Sequence, residues 1–351
     1  MSDFLNGAGV VFSLEMRQRV RGTAWYIMLA VFFVLLFAVT GILTAIVGDD
    51  SPANASANAG ASAFSTVIYF VLLLGTLVAP ALSGNAINGD RDDGTLATLQ
   101  VTLVSHWQIV FGKFLAAWVT ALAFLLAAVP FLVFTIVRGV APLTILVSVL
   151  VLAVELGVVA AIGVGLSGVI VRPLFSIVLT YLVVAVLSLG TVISFGLGGL
   201  LSQSPTVTKV YSSTVVGDDG TAMECTFTGE EKGQTFRFDR VWGLLVANPY
   251  VLLADAVPAD PDENYPSDLF GLIKYGERTA QIPPKLTLTQ NDCTGVYGAQ
   301  QMPYREAIET TVPGWLVGLI IQLVLAGGAL VGAGLRLRTP AGRLPKGSRI
   351  A

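Results

Sequence analysis

Charged side chains are scarce in this sequence, so those that interrupt its apolar runs are the first candidates for chemistry. The densest group is GDRDDGT (89–95), followed by LATLQVTLVSHWQIVFGK up to Lys113. Asp90, Arg91, Asp92 and Asp93 form a charged turn closed by Gly94 and Thr95. Leu96 and Leu99 give the next stretch one apolar face if it is helical, and Ser105 can cap the helix that follows. An apolar face with a charged rim is the pattern of a surface that seats in a groove on another protein. A solvated turn between two helices carries the same charges. Glu155 is a second candidate, inside an apolar run, with Gln322 a polar companion in another. An ionisable group inside a membrane span is costly, and marks either a transport path or a pairing of helices. Cys225, Cys293 and His106 are the only cysteines and histidine, too little for a metal site. No nucleophile–base pair stands out. No G-x-x-x-x-G-K-[S/T] phosphate loop occurs either, since Gly112-Lys113 runs into Phe114 without the upstream glycine.

The elements that must position these residues are membrane spans. The chain has 351 residues, 54% hydrophobic and 12% charged, with a mean hydropathy of +0.76. A water-soluble domain carries about a quarter charged residues. A net charge of -3 lacks the basic footprint of a nucleic-acid binder. A span needs roughly 20 apolar residues, and six runs qualify: about Ala24–Val47, Ala61–Gly84, Ile109–Val137, Leu143–Val171, Leu174–Leu201 and Val312–Leu335. The first is too long for a signal-peptide core and has no small-residue cleavage site behind it, so it reads as a retained span. Glycines crowd spans four to six, where they serve either static close packing or sliding interfaces.

Basic residues set the orientation. Arg17, Arg19 and Arg21 precede the first span, and Arg336, Arg338, Arg343, Lys346 and Arg349 follow the last. Arg91, Lys113 and Arg172 mark the turns after spans two and four, whereas the first loop has no basic residue and the third turn only Arg138. Both termini are therefore expected in the cytoplasm of a multi-pass inner-membrane protein. Residues 336–351 form a basic tail and 203–311 lie outside.

That exterior stretch holds fifteen acidic and eight basic residues. Alternation predicts strands over 207–216 and 235–242, with turns at Gly217-Asp218 and Gly229-Glu230. Cys225 and Cys293 both fall here and are a disulfide candidate in an oxidising compartment, two unpaired thiols being the alternative. WGLLVANPYVLLADAVP (242–258) is too short to span and too apolar for a solvated loop. A re-entrant or interfacial helix fits it, and so does a core helix of an exterior domain. The expected architecture is thus an all-α polytopic bundle of six helices with a large extracytoplasmic α+β insertion between helices five and six.

The segment VVFSLEMRQRVRGTAW (10–25) is amphipathic, with Val11, Leu14 and Val20 apolar and Glu15, Arg17, Arg19 and Arg21 polar. Such a helix lies in the membrane interface, and a plain positive-inside anchor reads the same way. With the loop at 85–108 it resembles the type-2 ABC exporter permeases. In that family an acidic residue and "GT" precede "L..L..TPVS" and a basic "GK" at the start of the next span. Asp92, Asp93, Gly94, Thr95, Leu96, Leu99, Thr102, Ser105, Gly112 and Lys113 match; Leu103 stands where Pro is frequent and His106 where Arg is. Asn248-Pro249-Tyr250 is similar to an "NP" motif late in many of these chains. The resemblance implies a coupling helix at 89–105 and an elbow helix over 1–23. It also implies partners: two cytoplasmic ATPase subunits holding ATP and Mg, and a second permease chain of the same or another kind. Substrate would move between the two bundles, surrounded by membrane lipid, and the chain itself would hold no cofactor. A membrane-anchored sensor or scaffold whose 203–311 region binds an outside partner is the alternative from another class. A membrane enzyme is third.

Overall fold

A computed structural model of the chain describes residues 2–47, 53–92, 94, 104–137, 139–216, 222–258, 265–266, 268–294 and 302–338. In hydrocarbon a segment must satisfy its backbone groups internally, and the apolar runs are accordingly helices. In order they are α1 (Ser2–Arg21), α2 (Thr23–Val47), α3 (Ala53–Ser83), α4 (Asn88–Asp92), α5 (His106–Val137), α6 (Pro142–Val169) and α7 (Pro173–Ala185). A π-helical turn (Val186–Gly190) joins α7 to α8 (Thr191–Leu201). Strands β1 (Gln203–Val216) and β2 (Ala222–Phe236) follow, then α9 (Pro249–Ala256), α10 (Leu269–Ala280), β3 (Thr287–Asn291), α11 (Tyr304–Thr310) and α12 (Gly314–Arg336).

Among the described residues six stretches are long and apolar enough to cross a membrane: Thr23–Leu43, Gly60–Asp92, His106–Val137, Pro142–Val169, Pro173–Leu201 and Gly314–Arg336. They are the six that hydropathy marks, with two differences. Span two continues through a turn into α4, and span five is broken by the π-turn.

Spans one to four share one core. Phe124 of α5 takes Trp25 and Phe32 of α2 edge-on, both at 5.3 Å, beside Ile68 and Leu72 of α3 and Leu152 and Leu156 of α6. Helix α12 packs on α6 through small residues. A Cβ at Gly165 would meet the carbonyl carbon of Ala329 at 2.5 Å, and one at Gly168 the Cα of Ala333 at 3.0 Å. Gly196, Gly327 and Gly328 face open space. The glycines at the α6–α12 contact thus serve close approach.

The region between spans five and six divides in two. Its outlying part is a three-stranded sheet of order β2-β1-β3. Strands β1 and β2 pair antiparallel from Gln203↔Phe236 to Val216↔Ala222, and β3 runs parallel to β1. The turn expected at Gly229-Glu230 is instead a β-bulge within β2. Val210 opposes Gly229 while Tyr211 opposes Phe227, and Gly229 takes a φ of 154° that favours glycine. The strand expected over 235–242 stops at Phe236. Arg237 turns back onto Asp239 through two hydrogen bonds of 2.7 Å, and Phe238 docks on Phe195 of α8. The turn expected at Gly217-Asp218 lies outside the described residues. A disulfide joins Cys225 to Cys293, Cα to Cα 6.1 Å.

The second part is helical and belongs to the bundle. Leu253, Ala254 and Val257 from α9 and its end, with Phe270 of α10, enter the core of spans one to four. The 242–258 stretch is a 3-10 turn at Trp242–Leu244 followed by the eight-residue α9. Helix α9 is too short to cross and is buried on most of its surface.

Candidate functional site

Helix α1 lies against the first turns of α5. Gly112 permits the approach: a Cβ there would come 2.7 Å from the Ala8 carbonyl oxygen and 2.8 Å from Val11. The buried face of α1 is Ala8, Val11 and Glu15, with Arg19 half-buried. Leu14 and Val20 are exposed, whereas Glu15, a polar residue by type, is buried. Arg17 and Arg21 are exposed and stand apart.

The physical reason for burying Glu15 is Lys113. Its side chain is itself fully buried. Its Nζ contacts Glu15 Oε1, pairs with Asp90 Oδ2 at 2.6 Å and donates to the Ala86 carbonyl at 2.8 Å. A buried ammonium is tolerated only with counter-charge and hydrogen-bond acceptors close by. Arg19 adds a hydrogen bond from Nη2 to the Leu82 carbonyl at 3.1 Å, with Glu15 3.9 Å from its Nε. Burial lowers the Arg19 pKa, and the Glu15 charge partly restores it. One node therefore ties α1, the end of span two and the start of span three.

Two further fastenings hold the segments that flank the loop. The backbone N–H groups of Ile87 and Asn88 donate to Ser167 Oγ at 3.0 and 3.1 Å. Asn88 Nδ2 donates to the Ile170 carbonyl at 2.7 Å and its Oδ1 accepts from Arg91 at 2.6 Å. At the far end, Ser105 and Gln108 form a reciprocal capping box. Gln108 N donates to Ser105 Oγ at 3.3 Å and Ser105 N donates to Gln108 Oε1 at 2.6 Å. Gln108 Nε2 also donates to the Asp3 and Phe4 carbonyls of α1. The S-x-x-Q spacing is the sequence signal that would have found Gln108. Asp92 is exposed and Gly94 takes a φ of 70°. Asp93, Thr95, Leu96 and Leu99 lie outside the described residues.

Glu155 and Gln322 are brought together between α6 and α12. Each is buried to 1% exposure, and the Oε1 atoms of both make no hydrogen bond among the described residues. Gln322 Nε2 also donates to the Ala247 carbonyl at 3.2 Å.

A chamber of about 770 Å³ opens between spans two and five beneath α9 and α10. Leu73, Thr76, Val184, Leu189, Tyr250 and Glu277 are among its lining residues. Leu73 and Leu189 on its wall are themselves exposed, so the chamber is an open cleft and not an enclosed cavity. Tyr181 of α7, also on the wall, donates to the Leu77 carbonyl at 2.7 Å.

Beside it lies a buried charge cluster that sequence reasoning missed. Arg278 holds Asp255 in a fork of 2.7 and 3.2 Å and donates to the Thr311 carbonyl at 3.0 Å. Asp255 Oδ2 accepts from the Trp315 N–H at 2.9 Å, fixing the start of α12. Lys274 donates to the Val257 carbonyl at 2.5 Å, and burial pulls its pKa down to about 8. Burial pushes the Glu277 carboxyl up to about 7, with the Asp255 charge adding to the shift. Lys274, Glu277 and Arg278 share a face of α10 by spacing. Their partner Asp255 comes from another helix, and no local pattern announces it.

No curated protein matches the chain. The sequence pattern of the ABC-2 family transporter proteins matches residues 10–215 of the 351, which takes in α1, the ion node, spans one to five and β1. With six membrane-crossing helices and a buried node bracketing the loop between spans two and three, the chain belongs to the ABC-2 transporter family and is a multi-pass permease component of an ABC transporter, working with a separate ABC ATPase subunit.

Proposed function

We propose that the chain is the permease half of an ATP-driven exporter and that the 89–105 loop couples it to its ATPase. The observation that supports this most is the Glu15–Lys113–Asp90 node. Asp90 stands at the start of the loop and Lys113 follows its end, so both ends of the loop are clamped to each other and to α1. A force applied at the loop then moves α1 and spans two and three as one body, because a packed and ion-paired junction shifts between discrete arrangements and does not deform smoothly. On this reading α1 is the interfacial elbow and both termini are cytoplasmic in the inner membrane. Residues 203–311 are extracytoplasmic, and α9 sits at membrane depth covered by protein. Two ATPase subunits bind ATP and Mg, and a second permease bundle, the same or different, completes the pathway. The open chamber, lined mostly by apolar side chains, suits apolar cargo.

The test is co-purification with the ATPase and ATP turnover in nanodiscs. Replacing Leu96→Asp and Leu99→Asp together should release the ATPase while the permease stays folded. A complex that survives both substitutions refutes coupling through this loop.

A further inference from the structure

The chamber's wall contains the one π-helical turn among the described residues, Val186–Gly190, and that turn is strapped from outside the span. Asn248 Nδ2 donates to the Ser188 carbonyl at 2.5 Å and to Thr191 Oγ1 at 2.8 Å. The same side chain caps α9, its Oδ1 accepting from the N–H groups of Tyr250 and Val251 at 2.9 and 3.3 Å. Pro249 opens α9 at a position where its missing N–H costs nothing. Tyr250 carries the connection across the chamber. Its carbonyl accepts from Tyr69 at 3.1 Å and its hydroxyl meets Thr76 Oγ1 at 3.4 Å. Three consecutive residues thus join the π-turn of span five to the middle of span two, and Asn248 is buried to 2% exposure.

A π-turn holds one residue more than an α-turn, and such turns gather at functional positions. Moving the extra residue along the helix re-registers the intervening side chains by one position, a rotation of about 100° and a shift of about 1.5 Å. Val184, Ala185, Ser188, Leu189 and Val192 all line the chamber and bracket the turn. The location of the wide turn therefore decides which of them face inward. A Cβ added at Gly190 would first meet Val186 of the same turn at 3.5 Å and then the Ala185 carbonyl, so its nearest neighbours belong to its own helix and no other element crowds the turn at this point.

We propose that Asn248 is a positioning residue that holds span five in one of two registers, and that release of its two hydrogen bonds lets the π-turn migrate and changes the wall of the chamber. This rests on the reading of the chamber as the cargo route. Because α9 is packed against α12 as well as span five, a displacement of α12 relative to the bundle would reach the strap through α9.

The experiment uses cysteine accessibility in the full chain, assembled with its ATPase in nanodiscs. Both native cysteines are in the disulfide, so an introduced thiol is the only free one. Val184→Cys, on the chamber wall, reports the register; Leu146→Cys, on the exposed face of α6, is the control. Asn248→Ser keeps a capping oxygen for α9 but is too short to reach Ser188. It should raise the labelling rate at Val184→Cys, relative to the control, by about tenfold, the population change that follows from losing one to two net hydrogen bonds. Thr191→Val removes one acceptor at constant size and should give a smaller rise in the same direction. A ratio unchanged in both backgrounds overturns the hinge. Failure of both variants to assemble also overturns it, since Asn248 would then be structural. The chamber reading is tested separately in the unsubstituted strap. A lipid-partitioning maleimide should label Val184→Cys faster than a membrane-impermeant charged one, and the reverse order would overturn the cargo route while leaving the hinge result intact.

Discussion

Removing the Lys113 ammonium should take the nearest counter-charge from the buried Glu15 carboxylate and from the part-buried Asp90 at the junction of α1, span two and span three. The magnitude follows from the geometry. Lys113 is fully buried, touches Glu15 and lies 2.6 Å from Asp90, and its own hydrogen bond to Ala86 is lost as well. Breaking a buried pair by deleting one partner costs about 3–5 kcal/mol, because the remaining charge keeps its desolvation penalty without its attraction. Lys113→Met keeps an unbranched side chain only one atom shorter, so little of that cost comes from packing. The triple variant Glu15→Gln, Asp90→Asn, Lys113→Met removes the three paired charges, leaves Arg19 on the Leu82 carbonyl, and should recover most of the loss, as neutral replacements of buried ion pairs often do. The assay is thermal unfolding of the purified chain, with the single and triple variants compared in a cycle. A second readout is cross-linking between cysteines placed at Ala8 and Phe111, which should fall in Lys113→Met and return in the triple variant. Equal stability of the single variant and the parent would refute the electrostatic account. So would a triple variant no better than the single one, which would show that the node holds by shape and that its charges are incidental.

The charge cluster around Asp255 and Arg278 should make stability depend on pH near neutrality. Glu277 holds its proton in the folded chain up to about pH 7, whereas an unfolded glutamate releases it near pH 4.5. Folding therefore favours the protonated form, and the contribution is present at low pH and lost as pH rises through that window. Lys274 has the opposite profile: its depressed pKa of about 8 costs stability below that pH and relents above it. Thermal unfolding followed from pH 5 to 7 should decline in the parent and flatten in Glu277→Gln. A profile that stays steep in the variant would remove Glu277 as the cause. The glycines of α6 and α12 offer a sharper contrast. Gly165→Val would drive a side chain into Ala329 and should destabilise by about 1–3 kcal/mol, as overpacking does. Gly328→Ala meets nothing within 4 Å and should stabilise by about 0.5–1 kcal/mol, the helix-interior cost of glycine. Thermal unfolding of the two variants separates them, and equal effects would contradict the packing assigned to the α6–α12 contact.

The number of spans, their order and the loop worth inspecting are properties of the sequence alone. Hydrophobicity over about 20 residues is a one-dimensional quantity set by the thickness of the bilayer, so runs such as Leu143–Val171 declare themselves without any partner. The Ser105 cap is legible for the same reason, since capping is decided within one turn. Tertiary structure decided the faces. Composition marks Glu15 as polar and assigns it to solvent, yet it is buried because Lys113, far along the chain, supplies the counter-charge. The side of a helix that a charge occupies depends on what lies opposite, and that partner is set by how the helices pack. The same holds for Asn248 and the π-turn. The NP pair is visible locally, but that its amide reaches Ser188 follows only from α9 folding back against span five. The exterior stretch likewise reads as one insertion from its acidity. It divides into a sheet and two bundle helices because Leu253 and Phe270 find apolar surface on spans one to four, and burial of apolar area is not directional enough to be read from spacing.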